Sequence, residues 1–263
     1  MFGVSGSSNQ SIDSLLNNAK NTEDYIKIET QATEIIVNNS LSETEINNAK
    51  IQRGQARLGK LNVDAISILA DFQSLAEDKS SNSQQNNIFN KITIVDDVDL
   101  NDLKAASTDL NEADSSSSVT LTQDEQNVRA MANALTAVKA IKKTYIVQSD
   151  GQLDPQNNVS AEDAFDQVIA DGVTTSLDNS VDAYAQGANF NSDQQQEIDN
   201  IKFISKNIVA LNTAKTGGGT YSPIDKDGNP LTGSSISSVD FSSGDKNVKI
   251  SSAMNDIFGH VSN

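Results

Sequence analysis

Asp225, Asp227 and Asn229 stand at alternate positions in DKDGN, the spacing at which an EF-hand loop offers its first three oxygen ligands to Ca²⁺. Counting on from Asp225, Pro230 occupies the position of the loop glycine and Ile236 that of the bidentate glutamate. A hairpin turn at Asp227-Gly228 is therefore the favoured reading. A second acidic group, Asp96, Asp97, Asp99 and Asp102, has oxygens enough for a hard cation if its loop folds inward. The same acids suit the positive end of a helix dipole, which is the reading preferred. The spacing leaves Ca²⁺ open at both loops. His260 is the one imidazole, and a serine triad through it has no G-x-S-x-G elbow to work with. Gly217-Gly218-Gly219 is followed by no G-K-[ST], and neither G-x-G-x-x-G nor H-E-x-x-H occurs. A carboxylate-pair glycosidase uses aromatic platforms, and this chain has no tryptophan and four tyrosines. The expectation is a non-enzyme, with no catalytic residue, no cofactor and no resident metal.

Composition narrows the field further. The 263 residues contain no cysteine, which excludes disulfides, thiolate zinc sites, iron–sulfur clusters and cysteine nucleophiles. A formal charge of −17 argues against nucleic acid and anionic membrane surfaces as partners, because both repel it. Roughly 30% of the chain is Ser, Asn and Gln, and arginine occurs only at 53, 57 and 129. The opening residues lack a basic n-region, an apolar h-region and an A-x-A site, and no stretch reaches the ~20 apolar residues of a membrane span. A chain secreted or surface-assembled without a cleaved signal is expected, with a cytoplasmic one as the alternative.

The elements that must position these side chains are mostly helical. Residues 1–10 read as a mobile polar tail. Ile12, Leu15, Leu16, Ala19, Ile26, Ala32, Ile35 and Ile36 recur at steps of three and four, predicting one helix to about Val37. Ser42-x-x-Glu45 is a capping box, and Ile46, Ala49, Arg53, Ala56, Leu61, Ala65, Leu69, Phe72, Leu75 and Ala76 follow. They predict a second helix of up to about 35 residues, antiparallel to the first, weakened at Gly54 and Gly59. A β-branched run at Ile88–Val95 suggests a short strand, and Leu100, Leu103, Ala106 and Leu110 a short helix. Thr122-x-x-Glu125 opens a helix through Val128, Met131, Leu135, Val138 and Ile141, with Lys139, Lys142 and Lys143 near its negative end. Ser160 caps another helix, Gly172 and Gly187 bracket one more, and Ser192-x-x-Gln195 is a third capping box. Beyond Lys215 the chain reads as a Gly/Ser-rich, β-like tail with a terminal amphipathic element.

The fold class expected is mainly α: an antiparallel bundle with long coiled-coil-like helices and a small β-containing C-terminal region. Its divisions are the tail at 1–10, a helical hairpin with a small α/β insert and late helix at 11–147, a second helical segment at 148–215, and the β-like region at 216–263. The apolar stripes are the strongest signal in the chain. Ile46, Leu61, Leu69 and Phe72 on one helix, and Val128, Met131, Leu135 and Val138 on another, are the candidate packing or assembly residues.

The passage NKITIVDDVDLNDLKAASTDLNEADSSSSVTLTQDEQNVRAMANALTAVKAIKK runs from a short β-like stretch through a small helix and polar linker into a late helix. In this layout the chain resembles the secreted needle-tip and sheath-filament proteins of type III secretion systems, over roughly residues 40–147. It departs from them after that helix, where those families end and this chain continues for over a hundred residues. The resemblance implies export through the polar N-terminus and subunit contacts made by the helical stripes. The functional expectation is a structural or interaction protein whose partners are other protein subunits or itself. A virion or other particle component is the near alternative, and an acidic enzyme of unknown chemistry the distant one.

Overall fold

The computed structural model describes residues 11–62, 93–148, 152–187, 192–231 and 236–260. Among them the protein is mainly α, with nine α-helices and a few short antiparallel strands. The chain divides into two compact units, one drawn from Met1–Asp64 and Ala105–Leu121, the other from Ala65–Lys104 and Thr122–Asn263.

In the first unit, α1 (Ile12–Asn18) and α2 (Thr22–Ile36) replace the single helix expected to Val37. The break has a local cause. Asn21 turns extended and its side chain accepts from the Asp24 backbone N–H, while the Asp24 carboxylate accepts from Lys20 N–H at 3.0 Å, so a new N-terminus outcompetes continuation. α3 (Glu43–Lys60) starts at the Ser42/Glu45 capping box, as its spacing predicts. It closes after 18 residues rather than about 35. Leu61 N–H returns to the Leu58 and Arg57 carbonyls, and Asn62 takes a left-handed φ of 55°, a conformation that ends a helix. Leu69 and Phe72 lie outside the described residues. α2 and α3 run antiparallel, and Ile12, Ile28, Ala32, Ala49 and Ala56 form their core. α4 (Leu100–Asp114) contributes residues 105–114 to this unit, and these run antiparallel to α3.

Glycine has a packing purpose on α3. A Cβ at Gly54 would stand 2.8 Å from Leu110 Cγ and 3.1 Å from the Ala106 carbonyl oxygen, and one at Gly59 would strike the Tyr25 ring. Residues that weaken α3 by propensity are the ones that admit α4 and α2.

The second unit is built on α5 (Gln123–Thr144), begun by the Thr122/Glu125 capping box. Every residue from 129 to 138 is buried, so this helix is enclosed on all sides instead of showing one apolar stripe. Alanines at 130, 132, 134, 137 and 140 let neighbours approach its backbone. α6 (Ala161–Ala170), capped by Ser160, and α7 (Val173–Gly187) pack against it, and α8 (Ser192–Gly217) packs on α7. The third capping box falls where the side chains of 192–194 lie outside the described residues.

The run expected to be a strand gives, at Thr93–Val95, a 3₁₀ turn, with Asp96 N–H bonded to the Thr93 carbonyl and Val95 fully buried; residues 88–92 lie outside the described residues. Strands occur instead at β1 (Tyr145–Val147) and β2 (Leu153–Pro155), antiparallel with Ile146 opposite Asp154. Asn255 accepts from Leu153 N–H at 2.6 Å, occupying part of the hairpin edge. The C-terminal region is less β-like than its composition suggests. Two-residue strands β3 (Thr220–Tyr221) and β4 (Val239–Asp240) pair, and the rest is led by α9 (Lys246–His260). Its buried Ile250, Ala253, Met254, Ile257 and Phe258 follow the i, i+3, i+4, i+7, i+8 rule and close the unit against α6 and α8.

Candidate functional site

Arg53 and Arg57, four apart on α3, converge on a single carboxylate of α4. Arg53 donates through Nε (2.9 Å) and Nη2 (2.6 Å) to the two oxygens of Asp109, and Arg57 Nη1 donates to the same group at 2.8 Å. Asp109 is only 2% exposed, so its charge requires this company. Arg57 also reaches the Ala105 carbonyl (3.0 Å) and Glu29 of α2 (2.9 Å), and Lys60 holds the other Glu29 oxygen at 3.0 Å. Burial on its own raises the Glu29 carboxyl, but Arg57 and Lys60 outweigh it and hold the group below the usual range.

Beside this network lies an open cleft of about 520 Å³ between α3 and α4. Glu43, Ile46, Asn47 and Lys50 form one wall, and Thr108, Asn111, Glu112 and Ser115 the other. Each set falls at i, i+3, i+4 and i+7, so two antiparallel helices present facing stripes along a trough. Lys50 spans it to Glu112 at 3.0 Å, and the Ser116 hydroxyl donates to Glu43 at 2.9 Å. Ile46, half-buried, is the apolar side chain in this lining.

The other candidate packing residues fall elsewhere. Leu61 is half-buried at the C-cap of α3. In the second unit Met131, Leu135 and Val138 are buried in the packing around α5, and Val128 is half-buried. The structure brings these last four onto one helix and places Met131, Leu135 and Val138 inside the unit, with Val128 at its margin.

The acidic loops are internally engaged. Asp225 Oδ1 accepts the backbone N–H groups of Asp227 (2.9 Å) and Asn229 (2.8 Å), and these bonds, Asn229 first, lower its carboxyl. Asp99 accepts from Asn101 N–H at the start of α4. Asp96 pairs with Lys142, and its carbonyl accepts from Lys139 at 2.8 Å. Asp171, pushed up by burial but pulled down further by Lys104, Gln167 and Lys143, is held below its ordinary value. Among the described residues no group of three or more His, Asp or Glu side chains has the geometry to hold a metal ion. His260 stacks on Phe203 with ring centroids 4.7 Å apart.

One buried polar junction had no sequence signal beyond its residue type. Asn207, fully buried on α8, accepts from Tyr221 hydroxyl (2.9 Å) and Ile224 N–H (3.0 Å) and donates to the Phe203 and Ile224 carbonyls. Asp109 and Glu29 were equally silent. The available hint was the i, i+4 pair Arg53/Arg57 in a chain with three arginines.

The class defined by these features is a mainly α protein with small β elements, in which charged side chains bind helix to helix. Comparison with known proteins finds no matching family, no matching curated protein and no matching solved structure. No described helix is long and apolar enough to cross a membrane.

Proposed function

We propose that this is a non-enzymatic structural or interaction protein that acts through helix–helix packing, with further copies of itself or other protein subunits as partners. The observation that carries the reading is the trough between α3 and α4. Its facing i, i+3, i+4, i+7 stripes have the periodicity of a helix surface, and Ile46 supplies an apolar contact beside the Lys50–Glu112 and Ser116–Glu43 pairs that cross it. The engagement of Asp96, Asp99 and Asp225 in caps, turns and ion pairs supports the same reading, since these carboxylates already serve the fold. An exported or particle-assembled setting fits a −17 chain, whose self-repulsion keeps subunits soluble before they assemble.

Size exclusion with light scattering over a range of concentrations tests the proposal. The expected result is a mass above the one-chain value, lowered by Ile46→Asp with the melting temperature unchanged. A one-chain mass at every concentration, unmoved by Ile46→Asp, sinks the self-assembly form of the reading.

A further inference from the structure

The polar ties that α3 makes to its two neighbours are unequal, although apolar packing joins it to α2 as well. Toward α4 and the chain just after it, α3 commits Arg53 and Arg57 to the buried Asp109, Arg57 to the Ala105 carbonyl, Lys50 to Glu112, Asn47 to Ser118 and Glu43 to Ser116. Close packing on glycine is shared by both neighbours, Leu110 lying over Gly54 and the Tyr25 ring of α2 over Gly59. Toward α2, the polar ties are Glu29 to Arg57 and Lys60, and a long contact of 3.4 Å from Arg53 to the Thr33 hydroxyl. α1 adds one exposed bond, Gln52 to Asp13.

We infer that α1–α2 is a releasable arm, latched to α3 by Glu29, that opens as a unit while α3 and residues 105–114 of α4 stay together. The reason is what each separation strands. When α2 leaves, Arg57 keeps Asp109 and the Ala105 carbonyl, and Arg53 keeps both Asp109 oxygens. The Thr33 hydroxyl keeps its own bond to the Glu29 carbonyl, and the Glu29 carboxylate, already about one-quarter exposed, passes into water. Separating α4 instead takes the buried Asp109 from two guanidinium groups at once, the costly way to break such a network. The connection from Val37 to Ser42 is compatible with a hinge, since its bonds are local: Asn38 N–H to the Ile35 carbonyl, Leu41 N–H to the Asn38 carbonyl and Ser40 N–H to the Asn38 side chain. Opening parts the small apolar core in which Ile28 and Ala32 of α2 meet Ala49 and Ala56, and so uncovers that face of α3. The inference concerns the chain alone and holds whether or not it self-associates.

Native-state hydrogen exchange of the full chain tests it, read separately over 22–36, 43–60 and 105–114. Amides of 22–36 should exchange faster than those of 105–114. Glu29→Gln should speed 22–36 by about tenfold, the usual worth of a charge-assisted bond, and leave 105–114 unmoved. Raising salt on the unaltered chain should act in the same direction and on the same segment, which needs no variant to fold. Equal protection of the two segments, or a shift of both together with Glu29→Gln or with salt, overturns the arm.

Discussion

Arg53 grips Asp109 in a two-pronged ion pair, Nε to Oδ2 at 2.9 Å and Nη2 to Oδ1 at 2.6 Å, and Arg57 completes the carboxylate from a turn further along α3. With Asp109 at 2% exposure, the pair sets how α3 and residues 105–114 of α4 meet. Glu29 of α2 adds a second carboxylate to the group, shared between Arg57 and Lys60.

Asp109→Ala should therefore destabilise the protein by about 3 kcal/mol, because two guanidinium groups lose their buried partner. Urea denaturation measures it. A midpoint within error of the unaltered protein would contradict the network's role.

Gly54→Ala should lower stability by about 1–3 kcal/mol, the cost of overpacking against Leu110 and the Ala106 carbonyl. Propensity alone predicts a gain of about 1 kcal/mol at a helical glycine, so the sign decides between the two effects. Gly217→Ala, with nothing within 4 Å of the added methyl, is the matched control and should not share the loss.

Acid should weaken the attachment of α2. Glu29 is held below its ordinary value in the folded state, so the folded form binds fewer protons there than the unfolded one. Its contribution is present above the unfolded value of about 4.5 and lost as pH falls through the lowered folded value. The stability–pH curve of Glu29→Gln should be flatter across that acid window than that of the unaltered chain; superimposable curves would refute the assignment.

Asn207→Ala should cost about 2–3 kcal/mol, since Tyr221 hydroxyl, Ile224 N–H and two carbonyls lose a buried partner together. Tyr221→Phe removes one of those bonds and should cost about 1 kcal/mol. Thermal melts of both variants rank the two effects, and a reversed order would show that the amide is not the hub.

Leu135→Ala should cost about 2–5 kcal/mol, whereas Val128→Ala, at a half-buried position of the same helix, should cost less than half as much. Equal losses would mean that α5 is not enclosed as described.

Helix identity and helix starts were legible because they rest on short-range chemistry. Ser42/Glu45 and Thr122/Glu125 close their capping boxes as written, since a box needs only residues three apart. Helix ends were harder to read. The apolar spacing from Ile46 to Ala76 carries through Lys60 with no break, and the left-handed Asn62 that ends α3 has no proline or glycine after it, Gly59 lying inside the last turn. Asn21 divided α1 from α2 for a similar reason, being one asparagine among many. The strand at Tyr145–Val147 hid behind the lysines of α5, although an aromatic followed by two β-branched residues was its signal.

Alone, the sequence determined a mainly α chain with no thiol chemistry, strong negative charge and a stated set of helical starts, because composition and i, i+4 spacing act locally. Tertiary structure decided which partner each side chain met. Val128, Met131, Leu135 and Val138 read as one stripe, yet residues 129–138 of α5 are buried on every side, because the alanines between them let neighbouring elements close in as well. Arg53 read as a member of an apolar face, and Asp109 as one acid among thirty-six Asp and Glu residues. That they bind each other depends on the chain folding back over a sequence separation of 56, a long-range contact that no local period encodes.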